Sequence, residues 1–394
     1  MTPQTTPALP PLTAHREGVA AALLAAAEAD AIAAEWAALA DDCIEPNPFY
    51  TPALLLPALR AFAERDVRLA IVRDAEGTLL LLAPVAPLRG YSRLPLRYLA
   101  TWMHPHCYFA APLVRRGSES LAFAALFDLV ESEGAFFRLR HLAADGPLFG
   151  AASAAAKDAG RLMAASARYD RAALRAGHET DDYLRESLSG KKRKELRRLR
   201  ARLESEGAIA FETLADERAL ADWIADFLTL ESSGWKGRAG TALASDVAGR
   251  AFFAQALENA FARGALRFSR LTHGGRPIAM IVNFIERGDI YSFKIAHDEE
   301  FARYSPGVML EIELMRALEK EPGFSFIDSC AAGDHKMINS LWRGRRAIAA
   351  LNISGGGAAH KAIFRLLTGL ERAGEKLRGQ NDNAAAKEPA DGDI

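Results

Sequence analysis

The segment YSFKIAHDEEFARYSPGVMLEIELMRAL, from Tyr291 onward, holds the residue types best suited to chemistry. A strand pattern runs into a polar loop, and the loop ends at Ser305-Pro306-Gly307, a helix start. Proline costs nothing in a first turn, where its missing N–H would have no partner. Gly307 lets the main chain approach a ligand closely. The free N–H groups of a first turn bind phosphate, so a pyrophosphate-bearing donor such as coenzyme A fits here. A plain Ser-Pro cap is the simpler alternative. Arg303 could add a charge-assisted contact or stay solvated. Tyr304 could face the donor or pack its ring. A Walker loop and a GxGxxG fingerprint are both absent, which argues against nucleotide hydrolysis and NAD binding.

Three residues could take a proton: His297 after the central strand, Asp328 inside an apolar strand, and His335 in the following loop. A carboxylate in an apolar strand needs a partner, so Asp328 is either a site residue or is paired with Arg or main-chain donors. Lys336 could meet a phosphate or an acceptor carboxylate, or solvent alone. Tyr291 and Phe293 share a strand with alternating phase and could line an acceptor pocket, with core packing as the default. Trp235 and Lys236 follow a helix at a Gly turn and could wall a substrate. Trp342 reads as core, and Cys330 has no paired base that would make it a nucleophile.

These residues need a frame. In the second half the pattern reads helix (basic, within 181–207), helix, helix, three strands over 266–300, helix 305–323, strand 324–330, short helix, strand 347–353 and a closing helix. The first half reads as a helix over 14–42, a helix after Asn47, a hairpin around Asp74-Ala75-Glu76-Gly77, a strand at 96–102, a helix at 120–134 and a strand at 136–142. Residues 151–166 read as helical, with a short strand or turn at 168–175. The halves resemble one another in order, which suggests an internal duplication. The expected division is a disordered 1–15, a first domain over 16–180, a second over 181–370 and a disordered tail over 371–394.

The chain has 394 residues, enough for two domains of ordinary size. Its 49 basic and 50 acidic residues leave a formal net charge of -1, so nothing global points to DNA. No apolar run is long enough to cross a bilayer, and the N-terminus lacks the layout of a signal peptide. The three scattered cysteines suggest a reducing compartment and fit neither a zinc site nor a disulfide scaffold; the expected location is cytoplasmic. In KKRKELRRLR (191–200) seven of ten residues are basic. Leu196, Leu199 and Leu203 give that helix one buried stripe and a basic outer face. A solvated face is the plain reading; RNA, a membrane surface or an anionic substrate are the alternatives.

Residues 183–352 resemble the GNAT (Gcn5-related N-acetyltransferase) superfamily. More narrowly they resemble its CelD/BioF2-like branch, related to the FemAB aminoacyl transferases. The resemblance rests on LSGKKRKELRRLRARLESEG (188–207), GWKG (234–237), GGRPIAMIVNF (274–284), the 291–315 segment and FIDSCAAGDHKMINSLW (326–342), in that order. It implies an α/β (α+β) fold of tandem GNAT-like domains, each a mixed, mostly antiparallel sheet flanked by helices, the first unit degenerate. It implies acyl transfer from acyl-CoA, a co-substrate rather than a permanent cofactor, to an amine or hydroxyl on a small molecule or a glycan or peptide precursor. Strands 290–296 and 324–329 would splay, with the pyrophosphate at about Tyr304–Met309. The resemblance also favours Asp328 and Lys336 as site residues. The loop departs from the ordinary GNAT signature, having one glycine where that signature has more. No nucleophile elbow is present, so direct transfer in a ternary complex is favoured over an acyl-enzyme. A charged-tRNA donor would call for a long helical arm, which 191–206 does not supply. A non-catalytic binding protein on a GNAT frame is the third reading.

Overall fold

The structure, a computed structural model, describes residues 14–16, 18–91, 94–321 and 323–385, with side chains from 18 to 371 apart from 92, 93, 235, 236 and 322. Of the segments expected to be disordered, 1–15 and 371–394, residues 1–13 and 386–394 lie outside these residues.

The first half contains strands β1 (Ala14–Arg16), β2 (Val19–Ala25), β3 (Arg68–Asp74), β4 (Leu79–Tyr91), β5 (Leu94–Thr101), β6 (Leu113–Val114), β7 (Phe136–Ala143) and β8 (Met163–Arg175). Its helices are α1 (Ala33–Asp41), α2 (Pro52–Phe62), α3 (Glu119–Val130) and α4 (Pro147–Asp158). The second half opens with α5 (Thr180–Ser187) and α6 (Gly190–Glu206), then β9 (Ile209–Thr213), α7 (Leu220–Ser233), α8 (Trp235–Arg238) and α9 (Val247–Ala262). It continues with β10 (Leu266–His273), β11 (Arg276–Glu286), β12 (Asp289–His297), α10 (Pro306–Glu319) and β13 (Phe326–Asp328). Helix α11 (Lys336–Leu341), β14 (Gly344–Ser354) and α12 (Ala358–Ala385) close the chain.

The described strands form one sheet in the order β1-β2-β3-β4-β5-β7-β14-β8-β13-β12-β11-β10-β9, with β6 attached to β4. Every pairing is antiparallel except β5–β7 and β12–β13. The sheet is thus mixed and mostly antiparallel, as expected. The expected division at residue 180 falls between β8 and α5, yet the sheet runs across it: β8 pairs with β13 and β14. The last strand, β14, lies between β7 and β8.

Local chemistry explains the turns. Gly274 and Gly275 have φ of +56° and +82°, the paired left-handed residues of a tight hairpin, and they join β10 to β11. Two expectations fail locally. Residues 19–25, inside the Ala-rich stretch read as helix, form β2, because all seven pair with β3 along its length. The high helix propensity of alanine gives way to that tertiary pairing. Helix α4 stops at Asp158 with left-handed Gly160 just beyond, and the strand runs from Met163 to Arg175, longer than the short piece expected. At the other end of the chain α12 continues to Ala385, past the residue 371 at which a disordered tail is expected.

Two cores flank the second half of the sheet. On one face α7 and α9 pack with elements of the first half around Phe252, Phe293 and Tyr291. On the other, α5, α6, α10 and α11 pack around Leu310, Leu314, Ile281 and Trp342.

Candidate active site

Strands β12 and β13 run parallel for three residue pairs only, Asp289↔Phe326, Ile290↔Ile327 and Tyr291↔Asp328. Beyond Asp328 the chain leaves β12, and the Ser329 N–H donates to the Ala172 carbonyl on β8 instead. Strand β12 continues to His297 paired with β11 alone, so its other edge opens from Ser292 onward. The register slips at this point: Val282 faces Lys294 and Asn283 faces Ser292, which leaves Phe293 as the extra residue of a β-bulge. The wedge between the strands is a narrow pocket of about 60 Å³ whose lining includes Ser292, Phe293, Lys294, Glu311, Ser329 and His335. Main-chain groups on an opened strand edge can donate to an oxyanion forming in the wedge.

Helix α10 begins beside this wedge. Ser305 precedes it in the left-handed region, φ +57° and ψ +52°, and Pro306 is its first residue. The Val308 and Met309 N–H groups both donate to the Ser305 carbonyl, each at 3.1 Å. Pro306 has no N–H, so the Gly307 N–H is the first-turn donor without an intrahelical acceptor. A Cβ added at Gly307 would meet only the Ile295 Cδ1 at 3.6 Å, so the helix start is uncrowded. Arg303 is exposed, lies over the Tyr304 ring at 4.8 Å and pairs with Glu206 at 3.6 Å. Tyr304 is buried, and its hydroxyl donates to Glu206. Val308 is half-buried and Met309 buried. Met309 and Ile312, with Arg316 beyond them, form one wall of a groove of about 380 Å³ running along α10. Leu184, Leu188 and Leu196 complete its apolar floor, and Arg185, Arg193, Arg197 and Arg200 line it. Among the described residues, the Arg193 guanidinium donates to the Arg185 and Leu188 carbonyls, at 2.6 and 2.7 Å. The basic helix 191–200 and α10, from Met309 onward, therefore line one groove. Its chemistry, cationic side chains over an apolar floor beside a helix N-terminus, suits a phosphate ester with an apolar arm.

The other predicted residues are distributed differently. Asp328 is fully buried and accepts from Arg171 at 2.5 Å, Arg346 at 2.7 Å and the Cys330 N–H at 2.9 Å. Burial alone would raise its pKa, but Arg171 and then Arg346 outweigh that and hold the carboxyl below its ordinary value. Arg346 also donates to Glu45 at 2.9 Å, and Arg171 to the Tyr108 carbonyl at 2.7 Å, which ties both halves together. Asp328 is thus the centre of a buried ion-pair network, the paired alternative of the sequence reading, and a weak proton acceptor. Tyr291 is likewise committed: its ring is buried and its hydroxyl donates to the Pro46 carbonyl at 2.6 Å. Phe293 is buried 5.0 Å from Phe284 and 6.3 Å from Phe253, so its ring packs in the core even as the residue borders the wedge. His297 is half-buried at the far end of β12, opposite Ala279. His335 is exposed, lines the wedge and caps α11, its Nδ1 facing the Ile338 N–H at 3.5 Å; Lys336 is exposed beside it. Trp235 and Lys236 form the first turn of α8, and their side chains lie outside the described residues. Cys330 is buried, and burial pushes its thiol far up in pKa, away from nucleophilic use.

Sequence reasoning missed the polar residues nearest the wedge. Glu311, on α10, is 3% exposed, and its Oε2 is sealed without a hydrogen-bond partner. Burial with no compensating charge raises its pKa to about 8. Asn283 is fully buried with both side-chain polar atoms unpartnered, and the Ser292 hydroxyl is buried and unpartnered too. On the opposite face of β12, Lys294 lies 5.7 Å from the Tyr108 ring centroid; burial lowers its pKa, opposed by Glu231. His104, buried nearby, is pushed down to about 3 by burial and the neighbouring His106. The signal for Glu311 was present: Glu311, Leu314, Met315 and Leu318 fall at i, i+3, i+4 and i+7, which puts a carboxyl on the apolar stripe of α10.

Among the described residues no helix is long and apolar enough to cross a membrane, and no three His, Cys, Asp or Glu side chains are placed to hold a metal ion. The sequence model of the family described as "Acetyltransferase (GNAT) domain" matches residues 190–336. No curated protein matches the chain significantly. Among solved structures, a conserved protein of unknown function from Bacteroides thetaiotaomicron superposes with a TM-score of 0.52 at 13% identity, over 84% of this chain and 97% of that one. FemX superposes at 0.52 with 10% identity, over 81% and 95%. The C-terminal domain of a protein named as a lysylphosphatidylglycerol synthetase, from Agrobacterium fabrum, gives 0.50 at 13% identity, over 84% and 96%. At such identities the likeness is one of fold. The segment from Gly190 to Lys336, which holds the splayed parallel pair and the helix start beside it, is thus the part of the chain that is similar to a GNAT acetyltransferase domain.

Proposed function

We propose that this chain is an acyltransferase that moves an acyl group from acyl-CoA, acetyl-CoA in the first instance, to an amine or hydroxyl acceptor by direct transfer. The observation that carries the reading is the wedge between β12 and β13, opened beside the Gly307 helix start and the arginine-lined groove. In this reading Gly307 and the α10 N-terminus hold the pyrophosphate, with Arg303 at the mouth of the site. Arg193 and Arg197 meet the remaining phosphate, and Met309 and Ile312 support the apolar arm. The open edge of β12 polarises the thioester carbonyl and holds the oxyanion. The acceptor enters from the face of Lys294 and His104, and His297 or His335 takes its proton. Lys336 steers an anionic acceptor. The first half, whose β5–β7 parallel pair parallels β12–β13, serves as the degenerate first GNAT-like unit and completes the acceptor side. The narrower assignment to the CelD/BioF2-like branch rests on the motif order, and a cytoplasmic location follows from the CoA donor. A charged-tRNA donor is the second reading, favoured by the basic face of α6.

Thermal melts with acetyl-CoA and free CoA test the donor. Protection at millimolar concentration is expected, weakened at least about tenfold in Kd by the Arg193→Ala/Arg197→Ala pair and by raised salt. No protection by any CoA species, with activity dependent on charged tRNA, would overturn the reading in favour of the second.

A further inference from the structure

We propose that Glu311, Asn283 and Ser292 form a buried subsite that recognises a hydroxyl group on the transferred acyl chain, so that the donor carries a short hydroxyacyl group and not a plain alkanoyl one. The inference rests on the acyl-CoA reading above and specifies its donor.

The geometry comes first. Ser292 and Glu311 line the wedge directly, at the point where β12 loses its partner strand. Asn283 stands opposite Ser292 in the β11–β12 register and lies two residues beyond Ile281, another lining residue, on the same face of β11. An acyl carbon held by the open edge of β12 therefore has this face of the strands beside it. The wall it meets is polar, although the surrounding layer is built from Leu310, Ile281 and Leu314.

The chemistry comes second. Buried polar atoms in native proteins are almost always hydrogen-bonded. Here four adjacent ones have no partner within the protein: Glu311 Oε2, both Asn283 polar atoms and the Ser292 hydroxyl. No arginine or lysine is paired with Glu311, and burial is the sole cause of its raised pKa, so near neutrality its carboxyl carries its proton. A neutral carboxyl offers one donor and an acceptor, the amide two donors and an acceptor, and the serine one of either kind. An alkyl chain satisfies none of these. A hydroxyl donates once and accepts twice, so it can pair with up to three of the four without introducing a charge. An ammonium group would instead require Glu311 to ionise in an apolar layer. Size agrees: about 60 Å³ holds only a handful of heavy atoms, since one water needs about 10–15 Å³ by the same measure.

The test uses donors in which a hydroxyl replaces a methyl at the same place. Calorimetry on the full chain compares glycolyl-CoA with propionyl-CoA and 3-hydroxypropionyl-CoA with butyryl-CoA, with β-alanyl-CoA and free CoA alongside. At least one hydroxyacyl donor should bind about tenfold or more tighter than its methyl counterpart, because a site built to bond a hydroxyl rejects the analogue without it. Glu311→Leu should abolish that preference while leaving free CoA binding unchanged. If that variant does not fold, Asn283→Leu serves the same purpose. Equal or tighter binding of the methyl donors overturns the subsite, as does a preference for β-alanyl-CoA, and either result leaves the CoA reading standing. Failure of every CoA species, free CoA included, overturns both.

Discussion

Replacing Asp328 with asparagine separates a structural carboxylate from a catalytic one. The substitution keeps the side chain's shape but removes the charge facing Arg171 and Arg346, which are 1% and 10% exposed. Two buried guanidiniums are then left without their shared counter-charge, and the new amide NH2 group points a donor at donors. Breaking a buried pair from one side costs about 3–5 kcal/mol. At roughly 2–4 °C per kcal/mol for a large domain, Tm should fall by about 10 °C. The pH dependence has a definite sign. The folded carboxyl is held below its ordinary pKa, so the stability it supplies is complete above the unfolded value of about 4 and fades as pH falls further. The gap in Tm between the two proteins should therefore be widest near neutrality and narrow in acid, as followed by calorimetry from pH 3 to 7. Acetyl-CoA protection measured well below either Tm should persist. A variant that melts within about 2 °C of the parent yet loses acyl transfer would refute this reasoning and restore Asp328 as the base.

Gly307→Asp places an anion at the second position of α10, where the helix dipole tolerates it and a phosphate does not. The ligand-free Tm should hold while protection by CoA disappears; unchanged CoA affinity in the folded variant would remove the donor site. Glu311→Gln tests the buried acid through stability. Its raised pKa means that the unfolded chain gives up this proton first as pH climbs from about 4.5 to about 8, so the parent loses stability relative to the variant over that window, by up to several kcal/mol. Parallel urea midpoints at pH 4.5 and 8 would show that Glu311 finds a partner in solution.

Much of the frame around the wedge was legible because it is local. The Gly274-Gly275 turn, the strands on either side and the SPG helix start announce themselves in a few consecutive residues. Strand β2 was not legible, since nothing in VAAALLA separates strand from helix until β3 supplies a partner. Asp328 could be recognised as a charge in need of company. Its partner Arg171 stands 157 residues earlier, and no spacing rule reaches that far. Asn283 and Glu311 are the opposite case. Each interrupts an apolar pattern, and weighing that interruption as heavily as a conspicuous histidine would have found the wedge's polar wall.

The place of β14 also bears on how the protein is made. Strands β7 and β8 are complete once residue 175 has been synthesised, yet the strand that joins them ends at Ser354. At about 5–20 residues per second, a growing chain would carry one open edge of β7 and both edges of β8, whose other partner β13 also comes later, for up to roughly 10–40 s. Such edges invite pairing with a neighbouring chain on the same message. Holding them apart during synthesis is a task for chaperones, and a chain released before Ser354 would leave the gap between β7 and β8 open.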